Sequence, residues 1–271
     1  MKEFIIRALS GALFVALFLS SALFWESGFI GFLVVVCFGS LKEFYRLAGK
    51  AGTEPNSKSG ALLGSLMLLA CLILITCAGW SDSYAVIVVL LSVAYVFIAE
   101  LYRKRESPIA NVAVTLAGWL YIALPLCLIV LMAHRSGEYQ PWIVLWFAFM
   151  VWTNDVMAYI VGVMIGRHRL MERISPKKSW EGFFGGLAAT AGIGFLAASI
   201  HGYDSWVMVI MGVAVSISGV FGDLVESMFK RSVGVKDSGA IMPGHGGFLD
   251  RFDAMLMAAP FAYITIIIFN L

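Results

Sequence analysis

Nine runs of mainly apolar residues recur along this chain, at 5–24, 28–48, 60–80, 83–102, 109–133, 142–166, 181–201, 205–222 and 253–270. Each is close to the roughly 20 residues that a helix needs to cross a bilayer. Gly28, Gly60, Pro108, Pro141, Gly182 and Gly202 stand at the joins. Charged residues make up 13% of the sequence and hydrophobic residues 61%, whereas a soluble domain carries about 25% charged residues. Lipid must therefore be the solvent for most of the surface. The expected fold class is all-α: a polytopic integral membrane protein of about nine transmembrane helices. The first run ends in Trp25-Glu26, not in the small residues of a cleavage site, so it reads as a retained helix. Cys37, Cys71, Cys77 and Cys127 lie inside apolar runs, without a CxxC pair or a neighbouring histidine. They read as small buried hydrophobes, not zinc ligands.

Basic residues orient the spans. With the N-terminus in the cytoplasm, 18 of the 19 lysines and arginines fall on the inner side and only Arg135 falls outside. Adding or removing one span midway would scramble that sorting. The C-terminus is then external, and the long inner connection from about Asp223 to Asp253 faces the cytoplasm. Residues 1–140 carry no comparable polar cluster. They are expected to form a scaffold, with lipid-facing surface and a subunit contact. Residues 141–271 are expected to form the catalytic part.

Three groups of residues carry chemistry. In the sixth run, Asn154 and Asp155 sit deep among apolar neighbours. Asp155, Ala158, Tyr159, Gly162 and Gly166 share one helical face. An acid at that depth needs a wet cavity or a partner; a small-residue packing seam is the alternative for the same face, but Asn154 and Asp155 together are hard to place for packing alone. Before the seventh run stands Ser175-Pro176-Lys177-Lys178-Ser179-Trp180-Glu181-Gly182. Ser175 is expected to cap a helix with Pro176 in its first turn. Such a start, with Lys177 and Lys178, suits an anion, although a basic flank that fixes topology explains part of the signal.

The third group is the densest. It comprises Asp223, Glu226, Ser227, Lys230 and Arg231, then Lys236-Asp237, then Pro243-Gly244-His245-Gly246-Gly247, then Asp250, Arg251 and Asp253. Asp223, Glu226, Ser227 and Lys230 share a helical face. Asp250 and Asp253 could each cap a helix, but that does not explain so many acids at one membrane side. Gathered carboxylates repel unless cations lie between them, and Mg²⁺ takes oxygen ligands together with substrate phosphates. Glycines 234, 239, 244, 246 and 247 free the backbone to curl around phosphates. The mixture fits metal-assisted phosphoryl or nucleotidyl transfer. His245 is either an acid/base or ligand, or a hydrogen-bonding strut. No phosphate-loop motif of the Walker type and no G-x-S-x-G elbow occurs.

The stretch Ser227–Asp253 resembles the signature of the CDP-diacylglycerol synthase (phosphatidate cytidylyltransferase) family, in its bacterial form. It matches S-x-x-K-R, K-D, the apolar-Pro-x-H-G-G run and D-R-x-D. Ser175-Pro176-x-Lys178-Ser179-x-Glu181-Gly182 resembles the family's second motif, and with Asn154-Asp155 the likeness covers about the last 120 residues. The resemblance implies a homodimeric enzyme of the inner membrane in phospholipid synthesis. It would depend on Mg²⁺, with one or two ions, and would make CDP-diacylglycerol and pyrophosphate from CTP and phosphatidic acid. Carried over residue by residue, Asp223 and Asp250 would be the main metal ligands, with Asp253 and Asp155 contributing. Lys178, Lys230 and Arg231 would bind phosphates. Lys236 and Asp237 would shape the CTP end of the pocket, and Ser175, Lys177, Ser179, His245, Gly246, Gly247 and Arg251 would complete the substrate-binding surface. Membrane lipid is the expected surrounding partner, and no nucleic acid is expected. The alternatives are a CTP-using polyprenol or dolichol-type lipid kinase and, without an enzymatic role, an ion-coupled transporter.

Overall fold

The structure is a computed structural model. It describes residues 2–76, 83–135, 138–239, 241 and 246–271, with side chains for 10–70 and from 86 onward within those ranges. Among the described residues the chain forms nine helices: α1 (Lys2–Phe24), α2 (Glu26–Lys50), α3 (Ser57–Thr76), α4 (Ser83–Arg103), α5 (Pro108–Ala133), α6 (Pro141–Ile165), α7 (Trp180–His201), α8 (Ser205–Ser232) and α9 (Leu249–Phe269). Seven of these, α2 and α4 to α9, are long and apolar enough to cross a membrane, while α1 and α3 present shorter apolar segments, Ser10–Phe24 and Ser57–Ala70, among the described side chains. The protein is an all-α, multi-pass membrane protein. Leu90, Leu91, Ile98 and Met164 are exposed, as helix faces turned to lipid should be.

Two elements depart from the sequence expectation. A two-stranded antiparallel ribbon, β1 (Arg169–Met171) with β2 (Ser175–Ser179), lies between α6 and α7. The polar connection after 222 is also shorter than expected, because α8 runs on to Ser232 and α9 starts at Leu249.

The chain divides into two compact units. One comprises Met1–Tyr139 with Ser232–Phe252, the other Gln140–Arg231 with Asp253–Leu271. In the first unit, Phe14, Phe18, Phe29, Phe32 and Phe252 pack edge-on or tilted around one another, with ring centroids 5.5–6.4 Å apart. Tyr45 is buried and donates to the Thr115 carbonyl at 2.8 Å, and the Trp119 indole donates to the Gly60 carbonyl at 2.7 Å. Within α5 the residues Trp119–Ala123 wind as a π-turn. Pro125 stands two residues beyond it, and a proline cannot donate to the carbonyl four residues earlier, so the wider turn lies where the regular ladder is interrupted.

In the second unit glycines let helices meet backbone to backbone. A Cβ on Gly182 would lie 2.5 Å from the Ala158 carbonyl, and one on Gly186 would lie 2.7 Å from Asn154 Oδ1. The α6–α7 seam is therefore closed by small residues. Gly212 meets the Thr190 carbonyl in the same way, and Gly222 meets the Asp253 carbonyl. The last contact positions the acidic residues described next.

Candidate functional site

Asp223 follows Gly222 on α8, and Asp253 lies on α9 at the point where Gly222 lets the two helices touch. Glu226 is one turn beyond Asp223. One oxygen from each of Asp223, Glu226 and Asp253 falls within 4.8 Å of the others. Glu226 is fully buried, and Lys230, one turn further on, forms an ion pair with it. Asp223 is half-exposed, accepts from Ser227 Oγ at 3.3 Å, and forms an ion pair with Lys178 of β2. Three oxygen donors this close make a set suited to a hard divalent cation.

The β-ribbon brings Lys178 to Asp223. Ile174, at the turn, packs with Val220 and Leu224 of α8, and Leu170 and Phe183 close over that cluster. Apolar packing thus fixes the ribbon to the helix turn that carries Asp223. Arg167 N and His168 N donate to the Glu181 carboxylate, and His168 Nδ1 lies 2.6 Å from it. The Trp180 N–H donates to the His168 carbonyl at 2.9 Å.

Here the expected helix start is corrected. Ser175 and Pro176 lie in a strand, and α7 begins only at Trp180. The N-cap is Ser179, whose Oγ accepts from Gly182 N at 3.2 Å. Proline is tolerated in a two-stranded ribbon because an edge strand does not require its N–H. With those first N–H groups engaged by Ser179 and His168, the anion-binding capacity here rests on cationic side chains.

A cavity of about 750 Å³ opens in this unit. Asn154, Asp155, Tyr159 and Gly162 line it from α6, Arg169 from β1, Ser175, Lys177, Lys178 and Ser179 from β2, and Asp223 from α8. The structure thus brings to one cavity Asp155, Ser175, Lys177, Lys178, Ser179 and Asp223, which the sequence reading places in three separate groups. Asn154 is buried, and its Oδ1 accepts from Ser216 Oγ at 2.6 Å. The face from Asp155 to Gly166 serves both readings offered for it: a helix packs on it, and it lines a cavity.

The remaining expected residues are divided between the two units. Asp250 belongs to the first unit, where its carboxylate accepts from Ser238 N (2.9 Å), Ser238 Oγ (2.8 Å) and Gly247 N (2.8 Å). Gly246 has a φ of 81°, left-handed backbone that favours glycine. Lys236, Asp237 and Arg251 are exposed in that unit, and Arg231 is exposed at the end of α8. Lys230 neutralises Glu226. His245 lies outside the described residues, as do Met242, Pro243 and Gly244. Sequence reasoning assigned no role to three residues. Arg169 enters only the count of basic residues, because the β1–β2 pairing that sets it opposite Ser179 is not visible in the local sequence. Glu226 was noted on the acidic face but given no part. Glu43, on α2, gave no signal beyond being an acid near the end of an apolar run.

Fold and site together define a polytopic membrane protein with a cation-lined polar cavity beside a carboxylate trio. The chain belongs to the cytidylyltransferase family, whose model matches residues 5–269. Over 125 residues it is 45% identical to a phosphatidate cytidylyltransferase of Staphylococcus epidermidis. Over 124 residues it is 45% identical to proteins of the same description from Staphylococcus saprophyticus and Staphylococcus aureus. Each match covers 45% of this chain and 48% of the relative, so the chain spans about half the length of the curated relatives it matches.

Proposed function

We propose that this protein transfers the cytidylyl unit of CTP to phosphatidic acid, yielding CDP-diacylglycerol and pyrophosphate. The observation that carries the proposal is the Lys178–Asp223 ion pair at the wall of a cavity large enough for a nucleotide, with Glu226 and Asp253 beside Asp223. The carboxylate trio fits Mg²⁺ by its donor chemistry. When bound, Mg²⁺ would offset negative charge on the α-phosphoryl group and the departing pyrophosphate.

The lipid phosphate is already ionised near neutral pH, so its oxygen attacks the α-phosphorus without a general base. The bond to the β-phosphate oxygen breaks, and its electron pair leaves with pyrophosphate. The difficulty is that one polyanion must attack another. Lys177, Lys178 and Arg169 line the cavity as cations that would hold phosphate oxygens. Lys230 compensates buried Glu226, Lys178 compensates Asp223, and Asp253 completes the carboxylate trio. Asp250 is proposed as a further carboxylate needed for turnover. The active site is proposed to face the cytoplasm, with the N-terminus inside, the C-terminus outside and the working unit a homodimer.

Purified protein supplied with α-labelled CTP and phosphatidic acid should place label in the lipid, while γ-label should appear in pyrophosphate. Label passing from the γ-position into a lipid would replace the proposal with a lipid kinase. Ion flux in proteoliposomes without CTP turnover would replace it with a transporter. Reporter fusions at Leu271 and within 51–57 should report opposite sides of the membrane, and the same side for both would overturn the orientation. A monomer mass for the active detergent-solubilised protein would remove the homodimer.

A further inference from the structure

Glu43 lies on α2, and its side chain is 1% exposed. Among the described residues no lysine or arginine forms an ion pair with it. A buried carboxylate persists only where donors are arranged around it. Here the donors come from about 200 residues away: Leu249 N at 2.9 Å, Phe248 N at 3.2 Å and Ser238 Oγ at 3.1 Å.

The same short segments hold Asp250, which takes Ser238 N, Ser238 Oγ and Gly247 N. Two carboxylates therefore share one serine. Its hydroxyl has one proton and stands within 3.1 Å of Glu43 and 2.8 Å of Asp250. A Cβ on Gly239 or on Gly247 would fall onto the Glu43 carboxylate, and one on Gly246 would lie 2.5 Å from Asp250 Oδ2. The backbone thus approaches these two acids at a distance that only glycine permits. The three glycines serve the acids directly, whereas their spacing in the sequence suggests a cradle for phosphate.

We infer that Glu43 is a positioning residue for the proposed transfer: through Ser238 and the N–H groups of Phe248 and Leu249 it orients the segment that holds the Asp250 carboxylate. The restraint itself follows from the first unit's geometry. Its effect on turnover rests on the cytidylyltransferase proposal and on the need for Asp250.

The test uses the full chain in detergent, with hydrogen–deuterium exchange and steady-state kinetics on the same preparations. In Glu43→Ala, exchange across 238–239 and 247–249 should rise by at least about tenfold while 180–201 stays unchanged. The kcat should fall by at least about tenfold with the KM for CTP held within about twofold, because Asp250 orientation is lost and not nucleotide affinity. Gly239→Ala, whose methyl group collides with the Glu43 carboxylate, should give the same pattern. The double variant should be no worse than Glu43→Ala alone, since the collision partner is gone. Should Glu43→Ala not fold, Glu43→Gln, of the same size but with only one acceptor oxygen, carries the same readouts. Unchanged exchange at 247–249, raised exchange with unchanged kcat, or full multiplication of the two single effects would each overturn the inference. If the wild-type protein formed no CDP-lipid, the proposed function would fail, and the exchange data would still decide whether Glu43 restrains the segment.

Discussion

Two pairs of carboxylates, one pair in each unit, are held in opposite ways. In the second unit, Asp223 and Glu226 are met by lysines at the ends of long side chains. In the first unit, Glu43 and Asp250 are met by backbone N–H groups and one serine hydroxyl, all fixed to the chain itself. A lysine can exchange its carboxylate for a phosphate oxygen at small strain, because its stem is flexible and its charge is a point. A backbone N–H cannot leave its acceptor without moving the loop. Movable counter-ions suit acids that must meet changing charge, whereas fixed donors suit acids that must hold a shape.

Substitutions test this contrast. The largest effect is expected at Asp223. Asp223→Asn should lower turnover by at least about 10³-fold through lost charge stabilisation, with the melting temperature in detergent unchanged, because among the described residues no backbone N–H donates to that carboxylate. Near-normal CDP-lipid formation at saturating Mg²⁺ would exclude it as an essential residue. In the other class, Asp250→Asn should also abolish turnover, but it should lower the melting temperature as well, since one oxygen that accepts from the loop becomes a donor. Equal melting temperatures for the two variants would erase the distinction. Lys178→Ala should reduce kcat/KM by at least about tenfold, near 1.4 kcal/mol of transition-state stabilisation, which initial rates against CTP and lipid would measure. The smallest effect belongs to the α7 cap. Ser179→Ala should cost about 1 kcal/mol of stability and leave the KM for CTP nearly unchanged, as thermal unfolding and kinetics would show. A large rise in that KM would instead make Ser179 a substrate contact.

The helices were legible because lipid demands long apolar runs, and hydropathy is a local property. The acidic face of α8 was legible for the same reason, since Asp223, Glu226 and Lys230 follow helical spacing. The sequence places the start of α7 four residues too early, with Ser175 and not Ser179 as the cap. Ser175-Pro176 carries the local chemistry of a cap, but Ile174 packing on Val220 and Leu224 makes Ser175–Ser179 a strand. Glu43 was missed because its partners lie about 200 residues downstream, and in Leu41-Lys42-Glu43-Phe44 it looks like an ordinary acid beside a lysine near a helix end. The meeting of Asp253 with Asp223 depended on the close approach at Gly222, which spacing within either helix does not encode.

The π-turn at Trp119–Ala123 makes α5 a helix with one residue too many for regular winding. Such a surplus behaves as an insertion held in place by its surroundings. Deleting one residue there would restore ordinary α-helical register and rotate Pro108–Gly118 by about 100° against Leu124–Ala133. Asn111 would then turn away from Glu100 and from the Glu54 N–H, and Thr115 away from Tyr45, all of which it and its neighbour now contact. A chain shorter by one residue would thus be a better helix and a worse protein. Where relatives differ in length within this helix, the gap should therefore be accompanied by different residues at 111 and 115, and not merely shift the sequence by one.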